Sequence, residues 1–240
     1  MEKAKTLVII PAYDEEKSIG SVVQRVKECL SEAEVLTVDD GSSDHTRWRA
    51  IEAGAKVISH PFNLGYGAAL QTGYRYALKK GYEELVQMDG DGQHDSSFIP
   101  HLLAVIRKGE VDIAIGSRFL PTPDVGLENP PYRAPFMRRL GMKFFGIISS
   151  LLIRQKVTDP TSGYQAMNRR VLEWVSSDQF PCDYPDADVI IMLHRAGFRI
   201  REVAVQMFEN HNKKSMHSGW KPLYYVFKMF LSILVTLMRK

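Results

Sequence analysis

Along the first half of the chain, apolar residues come in runs of strand length: "TLVIIPA" (6–12), "EVLTVDD" (34–40), "AKVISH" (55–60), "ELVQMD" (84–89) and "VDIAIGS" (111–117). Amphipathic stretches of helix length separate them. This alternation predicts an α/β domain with a mainly parallel sheet. Most of the runs end in Asp or Ser where the chain enters a loop. In open α/β sheets ligands bind outside the carboxyl ends of the strands, so these polar ends form one candidate site. Ser18 is expected to begin a helix running to about Leu30, and Asp44 or Ser43 to cap the next one.

Past about residue 120 the pattern changes. "PTPDVGLENPPYRAP" holds five prolines in fifteen residues, a loop long enough to suggest a function. "FMRRLGMKFFGIISSLLIRQ" then predicts an amphipathic helix at about 134–153, with its basic residues near the start and no acid between Arg133 and Lys156. The C-terminal "WKPLYYVFKMFLSILVTLMRK" sets Lys228, Ser232 and Thr236 at i, i+4 and i+8, a narrow polar stripe on an otherwise apolar helix. Its interrupted apolar run falls short of the roughly 20 residues that span a bilayer, which suggests an interfacial helix with Lys221, Arg239 and Lys240 facing lipid phosphates. A core helix, or a contact helix for a membrane-protein partner, fits the same pattern.

A length of 240 residues allows one large domain with additions, and neither repeats nor low-complexity segments divide it. The net charge of +3 is unevenly spread. Residues 199–240 carry eight Lys and Arg against two Glu, whereas the first 198 residues are slightly acidic. The asymmetry points to an anionic surface near the C-terminal end. Cys29 and Cys182 lie far apart without metal-ligand spacing, which fits a reducing compartment, with the cytosol as the default. The N-terminal apolar run is too short for a secretory signal.

"VQMDGDGQHD" (86–95) crowds three carboxylates behind a strand-like run. Such a cluster is costly in a low-dielectric cleft unless a cation, a proton or hydrogen bonds compensate it. Asp89 and Asp91 flank Gly90, and in an extended loop both can reach one ion of the Mg²⁺ or Mn²⁺ kind, which keeps room for phosphate oxygens. Alone, this D-x-D arrangement reads equally as a solvated turn. Two further acid-rich loops follow strands, "IIPAYDEE" (9–16) and "VDDGSSDHT" (38–46), and each singly could be turn and cap chemistry.

Taken with "NLGYGAALQTGYRYA" (63–77), "IGSRF" (115–119), "TDPTSGYQAMNRR" (158–170) and "DADVIIMLHRAGFRIREVAVQ" (186–206), these loops resemble family 2 glycosyltransferases over nearly the whole chain. The likeness is greatest to the dolichyl-phosphate mannose synthase and polyprenyl-phosphate glycosyltransferase branch. That family has the GT-A fold, a Rossmann-like α/β sandwich. The resemblance implies a catalytic domain over 1–210, whose first 120 residues bind the nucleotide-sugar and whose remainder, 121–210, binds the acceptor. A basic loop and amphipathic helix over 211–240 would follow. It implies that Pro11, Ala12, Tyr13 and Glu15 line the base and ribose, that Asp40 hydrogen-bonds the base, and that Asn63, Gly65, Asp89 and Gly90 belong to the donor site. It further implies that Asp89, Asp91 and Gln93 surround the divalent cation bridging the diphosphate, and that Arg118 stands near the phosphates. Arg118 in a surface salt bridge is the bland alternative.

Two departures limit the likeness. Many members carry Lys or Arg where Tyr66 follows Gly65, so a charged contact does not carry over. The Q-x-x-R-W signature of processive polysaccharide synthases is absent, which favours transfer of one sugar per acceptor. Asp159 in "TDPTSG" is the candidate carboxylate near the reacting centre, as base, as orienting group or merely as a turn cap. A phosphate acceptor is already an anionic nucleophile and needs no base. Arg133, Arg138, Arg139, Lys213 and Lys214 could each hold phosphate oxygens, or form a solvated basic face.

The expectation is an inverting, metal-dependent transfer of one hexose from a GDP- or UDP-linked sugar to a polyprenyl or dolichyl phosphate. It would take place at the cytosolic membrane face, with a small integral membrane protein as an optional partner and no nucleic acid. Transfer to a saccharide or protein hydroxyl is the enzymatic alternative and would make Asp159 an obligatory base. A sugar nucleotidyltransferase would want a Gly-rich phosphate loop after the first strand, and "PAYDEE" is not one. The non-enzymatic alternative is a catalytically silent, nucleotide-binding membrane partner.

Overall fold

The computed structural model describes residues 5–121, 136–181, 185, 187–208, 231–232, 235–236 and 238, with residues 136–143 described by their backbone. The predicted strands appear as β1 (Thr6–Ala12), β2 (Glu34–Asp39), β3 (Lys56–Ser59), β4 (Glu84–Gln87) and β5 (Ile113–Ser117). Between them run α1 (Ile19–Cys29), α2 (Thr46–Glu52), α3 (Tyr66–Lys79) and α4 (Ile99–Arg107), followed by α5 (Phe136–Ile153). Two strands that the hydrophobic pattern did not reveal complete the sheet, β6 (Gln165–Asn168) and β7 (Ile200–Ala204), together with α6 (Arg169–Val175) and α7 (Ala187–Arg195). All seven strands share one sheet in the order β3-β2-β1-β4-β6-β5-β7. β6 is antiparallel to both neighbours, and the other pairs are parallel.

Alternate residues of each strand feed opposite faces of the sheet. Leu7, Ile9, Leu36 and Leu85 pack with Leu70 and Tyr74 of α3, Val171 of α6 and Ile190 of α7, while Val8, Ile10, Val35 and Val86 pack with Val22 and Val26 of α1 and Leu102 and Leu103 of α4. The result is a sheet covered by helices on both faces, as near-continuous apolar strands require.

The helix starts differ in detail from expectation. Ser18 occupies the N-cap position of α1, yet its hydroxyl donates to the Glu15 carboxylate at 3.0 Å and caps no amide. Glu15 supplies the cap instead, its carbonyl accepting the Ser18 and Ile19 amides. Asp44 accepts the Thr46 amide at 2.9 Å at the start of α2.

At the amino ends of the parallel strands, Asp112 is buried among basic partners. It accepts from the Arg199 side chain and backbone, from Asn168 at 3.0 Å and from Arg170 at 3.2 Å. The Arg199 guanidinium in particular holds this carboxyl far below the usual carboxylate range. A folded-state pKa below the unfolded one gives stability that is present above about pH 4 and lost as pH falls below it. Asp112→Asn is therefore expected to cost about 1–2 kcal/mol at pH 7, a figure kept small because the arginines are half-exposed. Urea unfolding of wild type and variant should show this gap closing between about pH 4 and pH 2.

Candidate active site

Strand order reverses at β1. The chain steps through β2 and β3 on one side of it and returns through α3 to β4 on the other, which opens a crevice beyond the carboxyl ends of β1 and β4. Pro11 helps to open it. The Ala12 carbonyl accepts from Asp40 beside β2, and the Ile9 carbonyl accepts from Met88 beside β4, so Pro11, two residues after Ile9, also faces β4. Proline has no N–H to give, and the β1–β4 ladder ends at Ile9, while β1 continues to pair with β2 through Ala12. The chain after β4 is thus released to form the Asp89–Asp91 loop, with Gly90 packed against the Pro11 carbonyl and the Ala12 side chain.

The loops after β1 and β2 are tied together. Asp14 accepts the Ser43 amide at 2.8 Å, and Ser42 and Thr46 accept the Asp14 and Glu15 amides. Pro11, Ala12, Tyr13 and Glu15 line this seam, with Tyr13 half-exposed at the surface and Glu15 buried. Asp40 is buried, and both its oxygens are engaged within the chain. Oδ1 accepts the Leu64 amide at 2.9 Å and meets His60 Nδ1 at 2.7 Å, and Oδ2 accepts the Gly65 amide at 2.8 Å. Its structural work is to hold the 60–65 loop against the β2 end. Asn63 and Gly65 are placed by that hold, at the mouth of the crevice before α3.

Asp89 and Asp91 stand together after β4. Asp89 Oδ1 accepts the Tyr66 hydroxyl at 3.0 Å, and Asp91 Oδ1 accepts the Gln93 amide at 3.0 Å. The Gln93 carbonyl accepts the Phe208 amide, which anchors this loop to the end of the sheet. Beneath it lies His94, the histidine of the 86–95 stretch, fully buried and stacked on Tyr164 with ring centroids 4.9 Å apart. Burial pushes His94 down to about 4, so the ring is neutral at pH 7. Nδ1 accepts the Asp89 amide at 3.1 Å, which puts the proton on Nε2, 3.7 Å from the Asp89 carboxylate.

On the far wall, Asp159 and Arg118 form a buried ion pair, Nε to Oδ2 2.6 Å, with side-chain exposures of 0% and 8%. Arg118 is therefore not in a surface salt bridge. Glu202 of β7 lies behind them and accepts the amides of Thr158 and Asp159, and burial raises its carboxyl above the ordinary value. The sequence offered no signal for Glu202, because it stands next to Arg201 in a five-residue strand whose two adjacent charged residues break the apolar run. Gly163 closes the ring of contacts. A Cβ there would come within 3.1 and 3.2 Å of the two Asp89 oxygens and 2.8 Å of the Tyr66 hydroxyl, so only a glycine leaves this space beside the carboxylate.

That space and the donor set suit a hard divalent cation. Two aspartates could supply oxygen ligands, and no group of three or more His, Cys, Asp or Glu side chains among the described residues could enclose a metal by itself. A site with so few protein ligands fits an ion that takes its remaining ligands from phosphate and water. Arg133, Lys213 and Lys214 lie outside the described residues, as do the side chains of Arg138 and Arg139 on α5.

Comparison with known proteins places the chain in a family. A polyprenol monophosphomannose synthase of Mycolicibacterium smegmatis is 37% identical over 175 residues, which cover 70% of this chain and 63% of that protein, just under two thirds of its length. An undecaprenyl-phosphate mannosyltransferase of Micrococcus luteus is 31% identical over 222 residues, covering 90% of this chain and 88% of that protein. In three dimensions the chain is similar to glucosyl-3-phosphoglycerate synthase of Mycobacterium tuberculosis. A complex of that enzyme with phosphoglyceric acid superposes with a TM-score of 0.74 at 21% identity, over 98% of this chain and 80% of that one. A second complex, with Mn²⁺ and UDP-glucose, gives 0.70 at 20% identity, over 98% and 79%. The model of the family described as glycosyl transferase family 2 matches residues 7–175. The chain belongs to glycosyl transferase family 2 and is a glycosyltransferase.

Proposed function

We propose that the protein moves one hexose from a GDP- or UDP-linked sugar to a polyprenyl or dolichyl phosphate, with inversion at the anomeric carbon. The observation that carries the reading is the crevice at the β1–β4 reversal, with the Asp89–Asp91 pair on one wall and the Arg118–Asp159 pair on the other. The names of the mycobacterial and micrococcal relatives, both lipid-phosphate mannosyltransferases, support the acceptor class.

In this reading residues 1–120 hold the donor. Pro11, Ala12, Tyr13, Glu15 and Asp40 shape the pocket for the base and ribose, and Asp89, Asp91 and Gln93 hold Mg²⁺ or Mn²⁺ with the diphosphate. When bound, the cation neutralises charge on the departing nucleoside diphosphate. Arg118 sets a second positive charge at the crevice wall, and Asp159 fixes its direction. An acceptor phosphate oxygen attacks the anomeric carbon as the bond from that carbon to the diphosphate breaks, and the nucleoside diphosphate leaves with the bonding electrons. No proton has to be removed, so a fully buried Asp159 committed to Arg118 suits a positional role and not that of a base.

The lipid acceptor also accounts for an unusual surface. The described residues of the C-terminal helix turn their polar positions inward. Ser232 donates to Asp188, and the Thr236 carbonyl accepts from Arg195, both partners on α7. Leu231, Val235 and Met238 face outward, and Phe144, Ile147 and Leu151 on α5 are exposed in the same way. α5 also packs on α7, so the two apolar faces flank one helix. No helix among the described residues is long and apolar enough to cross a membrane. An outward apolar face of this kind suits adsorption to a bilayer surface.

The test is transfer from labelled GDP- and UDP-sugars, in the presence of vesicles with polyprenyl phosphate, with and without Mn²⁺ or Mg²⁺. Metal-dependent label in organic-extractable, mild-acid-labile lipid is expected. Label in water-soluble glycan would move the acceptor to a hydroxyl and would not fit the buried Asp159.

A further inference from the structure

Tyr66, the first residue of α3, bridges the mouth of the crevice. Its hydroxyl receives Gln87 Nε2 at 3.2 Å and donates to Asp89 Oδ1 at 3.0 Å. Gln87 is fixed in turn, because its Oε1 accepts the hydroxyl of Tyr74. Tyr74 is fully buried, and burial raises its ionisation far above the ordinary tyrosine value, so it stays a donor at any ordinary pH. The polarity of the chain follows. Tyr74 donates to the Gln87 carbonyl oxygen, the Gln87 amide nitrogen donates to Tyr66, and the Tyr66 proton goes to Asp89. Gly163 backs the Tyr66 hydroxyl so closely that a Cβ there would lie 2.8 Å from it.

We propose that Tyr66 is a positioning residue for the cation site: its hydroxyl, oriented from the core through Gln87, holds the Asp89 carboxylate in one rotamer for the metal. The proposal rests on the reading of Asp89 and Asp91 as cation ligands. A neutral hydroxyl orients the carboxylate without the repulsion that a lysine at this place would exert on a divalent ion.

Mn²⁺ binding to the full-length protein, followed by the electron paramagnetic resonance of free Mn²⁺ with UDP or GDP present, tests this directly. Tyr66→Phe is expected to weaken Mn²⁺ binding about tenfold, the effect of losing a hydrogen bond to a charged group, with Tm lowered by only a few °C for the Gln87 amide left without its acceptor. Tyr66→Lys is expected to weaken it further, and Asp89→Asn to abolish it. Transfer by Tyr66→Phe should return toward the wild-type rate as Mn²⁺ is raised tenfold, which a general loss of structure would not allow. Tyr66→Phe binding within twofold of wild type while Asp89→Asn binds none would overturn the role of Tyr66 and leave the cation site standing. A loss of transfer that excess Mn²⁺ fails to restore would also overturn it. Equal Mn²⁺ binding by wild type and Asp89→Asn would overturn both this role and the cation reading.

Discussion

Asp89→Asn is expected to lower sugar transfer about 10³-fold, the equivalent of about 4 kcal/mol in the barrier, while Tm stays within about 2 °C of wild type. The two halves of that expectation come from different facts. The carboxamide keeps an oxygen for the Tyr66 hydroxyl, and its backbone amide still donates to His94, so the loop retains its shape. Only the charge is gone, and with it the attraction that the carboxylate would exert on a divalent cation. Steady-state rates and a thermal melt on the same preparation separate the outcomes. Parallel loss of rate and Tm would make Asp89 a structural carboxylate of a tight turn.

Arg118→Ala should be the most damaging single change to stability in the site. It leaves Asp159 fully buried and without its guanidinium, beside Glu202, a second, half-buried carboxylate. Breaking such a pair from one side costs about 3–5 kcal/mol, or roughly 10 °C in Tm for a chain of this length. The paired substitution Arg118→Met with Asp159→Asn removes both charges and should recover most of that stability, because the desolvation cost disappears with the attraction. Transfer should remain lost in the double variant, since the guanidinium proposed to stand beside the diphosphate is gone. Urea midpoints and rates for the two variants decide it. A double variant as active as wild type would reduce the pair to a structural strut.

The strands that line the crevice were legible because they are apolar on both faces: β1, β2, β4 and β5 each place consecutive aliphatic residues in the core, and the polar residues that follow them mark the site. β6 and β7 escaped notice for physical reasons. β6 is four residues long, with half-exposed Gln165 and Asn168 at its ends, and β7 is an edge strand on which the exposed Arg201 and half-buried Glu202 break the apolar run. Strands this short are held by their neighbours in the sheet and not by their own pattern. The site divides in a similar way. Asp89, Asp91 and Asp159 could be named from loop composition, whereas Asp40's hold on Leu64 and Gly65, the His94 stack on Tyr164 and the Glu202 support of Asp159 join residues 24, 70 and 43 positions apart. No local spacing encodes contacts of that range. Tyr66 lies between the two cases, for the sequence marked it as a departure from the family and the fold shows where its hydroxyl goes.

In the function proposed above, the donor diphosphate and its cation sit at the β1–β4 reversal, held by Asp89 and Asp91. A crystal structure of the protein soaked with Mn²⁺ and UDP or GDP, with data collected for anomalous scattering, measures this directly. An anomalous peak at about 2.1 Å from oxygens of Asp89 or Asp91 and of the diphosphate is the predicted result. Ordered nucleotide with its diphosphate away from this loop, and no peak beside either aspartate, would rule out a donor site at the reversal.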